Sequence, residues 1–264
     1  MFVTFAWTMA VDFDATTINA LDYLIVGLSF VSAAVLLALG SVTARRAFAA
    51  DNPQQRRYLA GICAFLTTYA VARLFFIFQD LVVQPMKWKF PMNHDFGLSV
   101  EEEALRSLLW TTGSAIGLAG LATFFFATEG SILEPYLARV KFRHPFSLAV
   151  SVVLALVLAF NAPGVATVDA RRVTVYASVL PAVVVPVVYF LLSLKTSGVL
   201  RRNATLCGWG MTLLFLGIAI DSTAGQLFFE SVAGLAGPAL AKLLGHALMI
   251  SGPLLFYVGT LAKV

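Results

Sequence analysis

The stretch RRYLAGICAFLTTYAVARLFFIFQD, residues 56–80, carries a single charge, Arg73, between its opening arginine pair and its closing Asp80. An apolar run of about 20 residues is long enough to cross the hydrocarbon core of a bilayer. Inside such a segment a guanidinium costs at least about 2.5 kcal/mol. The stretch therefore reads as a membrane-spanning helix, and Arg73 calls for a partner elsewhere in the chain.

The rest of the sequence agrees with the first half of that reading. Of 264 residues, 59% are hydrophobic and 12% are charged, about half the charge of an ordinary soluble domain. Windows of about 19 residues give seven apolar segments, at 20–43, 58–83, 102–128, 145–162, 173–194, 204–229 and 239–261. The expected fold is all-α, a polytopic seven-transmembrane-helix bundle in the cell membrane, with residues 1–264 forming one domain. The N-terminal stretch MFVTFAWTMAVDFDATT lacks the basic region and cleavage motif of a signal peptide and reads as a retained lead-in.

Charge sets the orientation. Arg45, Arg46, Arg56 and Arg57 follow the first span, Arg139, Lys141 and Arg143 the third, and Lys195, Arg201 and Arg202 the fifth. Ten of the eighteen basic residues thus lie in three connections that share one side, the cytoplasmic side by the positive-inside rule. The N-terminus is then outside and the C-terminus inside. The net charge of +4 resides in short loops and not along one helix face, which argues against a nucleic-acid partner. The longest outer connection, PMKWKFPMNHDFGLSVEEE, contains a tryptophan and two prolines and is expected to lie in the interface or to fold over the outer mouth.

Depth then proposes the partner of Arg73. The second span rises from the inside near Tyr58, placing Arg73 about 15 residues, or about 22 Å, along it. The sixth rises near Asn203, placing Asp221 within about one turn of the same depth. Asp80 and Tyr69 share the face of Arg73 at seven and four residues' separation. In the seventh span Lys242 and His246 stand one turn apart. Glu103 and Arg106 open the third span beside Glu101 and Glu102, and Gln226, with Ser222 and Thr223, extends the polar face of the sixth. These residues outline an outer polar cavity for a small ligand, a proton or a lipid.

Other chemistries find less support. His94 and His144 lie at span ends, so only His246 is placed for an intramembrane haem, and no lysine sits deep enough for a retinal Schiff base. No HExxH or paired Cys/His spacing suggests a metal. Neither a cofactor nor a catalytic set is expected. Cys63 and Cys207 read as small buried hydrophobes. Gly113, Gly117 and Gly120 form a small-residue seam for helix contact, and Pro181 and Pro186 should kink the fifth span.

The openings RRYLAGIC and RRNATLC, at Arg56 and Arg201, are alike, as they would be if spans 1–3 and 5–7 were repeats about the fourth, an arrangement used by some transporters. SVEEEALRSLLW is similar to the acidic helix motif of membrane lycopene cyclases, but it lacks that motif's proline and has no second acidic motif to pair with. RRYLAGICAFLTTYAVARLFFIFQD and GLATFFFATEGSILEP resemble uncharacterised, mostly archaeal seven-helix membrane proteins, modules of which also occur at the front of membrane sensors. That resemblance implies the architecture and a receptor-like role, with a membrane or cytoplasmic protein docking at the basic inner loops. A small transporter and a noncatalytic subunit of a larger complex are the alternatives.

Overall fold

The computed structural model describes residues 15–79, 100–131, 133–134, 144–160, 183–234 and 237–261. Among them are eight helices: α1 (Ala15–Ala49), α2 (Pro53–Phe78), α3 (Val100–Glu129), α4 (Pro145–Phe160), α5 (Val183–Lys195), α6 (Gly198–Asp221), α7 (Thr223–Ala233) and α8 (Gly237–Leu261). Five are long and apolar enough to cross a membrane, and α4 and α5 are shorter apolar helices. Asp80, the outer connection at 85–99 and Pro181 lie outside the described residues.

Helix is the form that lipid demands of such segments, because no water is present to bond the main chain. Local signals fix the ends. The Asn52 carboxamide accepts hydrogen bonds from the Gln54 and Gln55 amides at 2.8 and 3.4 Å. Pro53 occupies the first position, where its missing N–H costs nothing. α2 therefore starts five residues before the span expected at 58–83.

The sixth segment corrects the expectation of one continuous span over 204–229. α6 ends at Asp221, Ser222 adopts an extended conformation (φ −67°, ψ 158°), and α7 begins at Thr223. The cause is local. The Ser222 hydroxyl accepts from the Gly225 amide at 3.3 Å, an N-cap bond that competes with continuation of the helix.

The helices pack as antiparallel neighbours, α1 on α2, α2 on α3, α3 on α4, and α6 on α8. In the closest of these pairings, a Cβ at Gly217 would lie 2.7 Å from the Gly245 carbonyl, and one at Gly252 2.6 Å from the Leu214 amide. Backbone meets backbone here, on glycines seven residues apart along α8 (Gly245, Gly252, Gly259). The expected seam on α3 serves its purpose against α2. Gly113 and Gly120 admit Phe76 and Thr68, whereas Gly117 makes only ordinary contact with Ala72 at 3.6 Å. Phe65, Phe124, Phe125, Met211, Leu214 and Met249 form the core. Phe30, Leu74, Leu108, Phe126, Leu148 and Val187 face outward, the apolar exterior that marks a membrane surface.

One end of the bundle is basic. There Arg46 donates to the Thr260 carbonyl at 3.4 Å and Arg57 to the Gly130 carbonyl at 3.3 Å. The C-termini of α1, α3 and α8 thereby meet the N-termini of α2, α4 and α6. At this end Glu129, 2% exposed, closes α4: its carboxylate accepts from the Phe146 amide at 2.5 Å and from the Ser147 hydroxyl at 2.8 Å. An acid at a helix N-terminus satisfies orphan amides and complements the dipole. Cys63 and Cys207 are free thiols, and Cys207 is buried.

Candidate functional site

The opposite end holds the polar residues, and α2 presents Arg73 to them. Leu66, Tyr69, Ala70, Arg73 and Ile77 are buried at spacings of three and four, so the guanidinium lies on the helix face that the bundle covers. Arg73 is 6% exposed. Its Nη1 donates to Asp221 Oδ2 at 2.5 Å, and its Nη2 to His246 Nδ1 at 3.2 Å. The separation in depth deduced from sequence thus closes to direct contact among α2, α6 and α8.

The hydrogen-bond directions follow from the arginine, which has only donors. His246 Nδ1 must accept, so the ring hydrogen sits on Nε2 and is donated to Ser29 Oγ on α1 at 2.6 Å. The Ser29 hydroxyl in turn donates to the Ile25 carbonyl at 3.0 Å. His246 is 1% exposed. Its ring joins α8 to α1 and to α2, and from Arg73 the donors run two ways, to Asp221 directly and through His246 to Ser29.

The break after Asp221 shapes the acid's surroundings. Gln226, buried in α7, donates from Nε2 to the Asp221 main-chain carbonyl at 2.7 Å, taking up an acceptor that the helix end leaves bare. A Cβ at Gly245 would lie 3.0 Å from Asp221 Cβ, so only glycine lets α8 pass this close. Asp221 Oδ1 is buried and has no hydrogen-bond donor among the described residues. Lys242, one turn before His246 and 7% exposed, is a further cation acting on the carboxylate.

The other expected residues take varied places. Tyr69, one turn from Arg73, is buried and directs its hydroxyl to Met249 Sδ at 3.4 Å. Arg106 is half-buried in the first two turns of α3. Asp80 lies outside the described residues, as does the side chain of Glu103. Among the described residues no group of His, Cys, Asp or Glu is arranged to hold a metal.

Ser29 went unread in the sequence, though a serine pair at 29 and 32 inside an apolar run was a signal for it. The DSTAG stretch at 221–225 likewise held an N-cap signal for the break. No protein family, curated protein or solved structure matches the chain. Function is therefore read from the chemistry of the cluster.

Proposed function

We propose that this is a multi-pass protein of the cell membrane, with seven spans, N-terminus outside and C-terminus inside, that receives a small ligand or a proton at the Arg73–Asp221–His246 cluster. One observation carries the reading: Arg73, Asp221 and His246 meet in direct contact, buried, where α6 breaks, and among the described residues Asp221 Oδ1 has no donor beside it. An unmet buried acceptor costs about 1–3 kcal/mol, so Oδ1 is the point of the cluster where a further donor gains most. An incoming hydroxyl, amine or proton supplies the missing donor. Ionisable residues in the membrane interior are functional by default, and here they tie four elements together, so occupancy bears on how α2, α6, α7 and α8 sit. The role is sensor-like, with the basic inner end as the docking face for a partner.

The test is a high-resolution structure in lipid nanodiscs. Non-protein density within hydrogen-bond distance of Asp221 Oδ1 is expected, and its loss in Asp221→Leu. Dry packing around Oδ1 would overturn the reading.

The broken sixth helix favours transport as a second reading, because interrupted helices with exposed ends are how many transporters build substrate sites. Uptake into proteoliposomes that is abolished by Asp221→Asn selects it. Binding without uptake selects the sensor.

A further inference from the structure

We propose that the basic end of the bundle carries a site for an anionic phospholipid, with the phosphate on Arg46 beside Tyr257, where the ends of α1 and α8 meet. The inference rests on the membrane-spanning reading above but not on the polar cluster. Behind Arg46 the packing of α1, α2 and α8 leaves a crevice of only about 10 Å³, lined by the buried Leu39, Thr43, Ile62, Leu66 and Phe256, so a lipid sits on the surface here and not within the bundle.

Arg46 is built to accept a phosphate there. Its guanidinium carbon stands 5.1 Å from the centre of the Tyr257 ring, which fixes the group against the aromatic face. Of five N–H donors, one is used among the described residues, in a long bond to the Thr260 carbonyl at 3.4 Å. The rest remain to meet phosphate oxygens in the forked geometry that arginine offers.

Charge and surface chemistry around the rim fit the same occupant. Arg45, Arg56, Arg57, Arg201 and Arg202 are exposed at this end, and among the described residues no acid forms an ion pair with any of them or with Arg46. Glu129 is turned inward on the start of α4, leaving Asp51 and Glu134 as the exposed acids nearby. Phe48, 88% exposed, stands within one turn of Arg45. A large bare aromatic beside arginines suits the headgroup boundary, where basic clusters flanking a span draw anionic lipid. A soluble polyanion would find no use for the phenyl group.

The experiment is native mass spectrometry of the full chain released from micelles containing equal amounts of phosphatidylglycerol and phosphatidylcholine. Preferential retention of phosphatidylglycerol is expected. Arg46→Gln should lower it about fivefold, the factor that one basic side chain contributes at an anionic surface, and the pair Arg201→Gln with Arg202→Gln should leave it near the wild-type level. Equal retention of both lipids overturns the proposal. So does an unchanged Arg46→Gln, or an equal loss in the Arg201/Arg202 pair, which would mean diffuse attraction without a site. If Arg46→Gln does not fold, the wild-type protein decides. Phosphatidylglycerol should raise its melting temperature where phosphatidylcholine and inorganic phosphate do not, and an equal rise with inorganic phosphate would overturn the lipid assignment.

Discussion

Removing the Arg73 guanidinium leaves Asp221 buried without its direct countercharge. Arg73 is 6% exposed and the Asp221 side chain 12% exposed, so little water is at hand to screen the loss. Breaking one side of such a pair costs about 3–5 kcal/mol. Lys242, whose charge also acts on the carboxylate, places Arg73→Leu at the lower end of that range. The same substitution takes a donor from His246 Nδ1, and an interhelical hydrogen bond in lipid contributes about 0.6 kcal/mol. Combining Arg73→Leu with Asp221→Leu removes both charges, and replacing a buried pair by packed apolar groups is often neutral or better. The double variant should therefore regain more than half of the loss, about 2 kcal/mol relative to Arg73→Leu alone. Unfolding in mixed detergent micelles, followed by circular dichroism for wild type, both single variants and the double, measures it. A double variant as unstable as Arg73→Leu alone would refute the pairing as an energetic unit.

Four further outcomes follow. Gly217→Ala puts a methyl 2.7 Å from the Gly245 carbonyl and should cost about 1–3 kcal/mol by the same unfolding assay, whereas Gly117→Ala, at 3.6 Å from Ala72, should be tolerated. Glu129→Ala bares the Phe146 and Ser147 amides, at about 1–3 kcal/mol for each donor, and should speed hydrogen exchange at the start of α4; Glu129→Gln, which keeps an acceptor, should do so less. Gly225→Ala directs a methyl at the Ala219 and Ile220 carbonyls and should push α7 off the end of α6, lowering both stability and the Arg73–Asp221 coupling. A C-terminal reporter that fluoresces only in the cytoplasm should be bright, and a dark one would reverse the proposed orientation.

How much of this was legible depended on whether the signal was local. The apolar segments were readable because lipid imposes helix on any long apolar run, and observed helices occupy every expected segment where residues are described. Arg73 and Asp221 could be matched by depth, since rise per residue is constant and both helices climb from the basic end. His246 was placed in the same group by its depth, but its contacts with Arg73 and Ser29 depend on how α8 is rotated, which no count of residues reveals. The α6–α8 seam was overlooked for a related reason. Glycines seven residues apart carry no periodic apolar contrast in a helix that is apolar throughout, although the spacing of Gly245, Gly252 and Gly259 was there to be read. Glu129 lies just past the apolar segment at 102–128, and its role depends on Ser147, eighteen positions away.

The break after Asp221 gives a physical reason for the gathering of cations at this point. In mid-helix, an aspartate's main-chain carbonyl would be bonded within the helix and its carboxylate would feel little of the helix dipole. At the last position of α6 it stands instead at the negative end of that dipole, where a second negative charge is unfavourable and a cation is favoured. Arg73 meets the carboxylate directly, Lys242 bears on it from α8, and the Gln226 amide caps the freed carbonyl. Each arrives from a different helix, so the negative charge concentrated at one chain break is balanced only when α2, α7 and α8 are all in place. On the proposed reading, a donor arriving at Asp221 Oδ1 would reduce the need for that balance, and the loosening would fall on α2 and α8, which bear Arg73, Lys242 and His246. Helix α8 also reaches the basic end, since it carries Lys242 and His246 at one end and Tyr257 and Thr260, the contacts of Arg46, at the other.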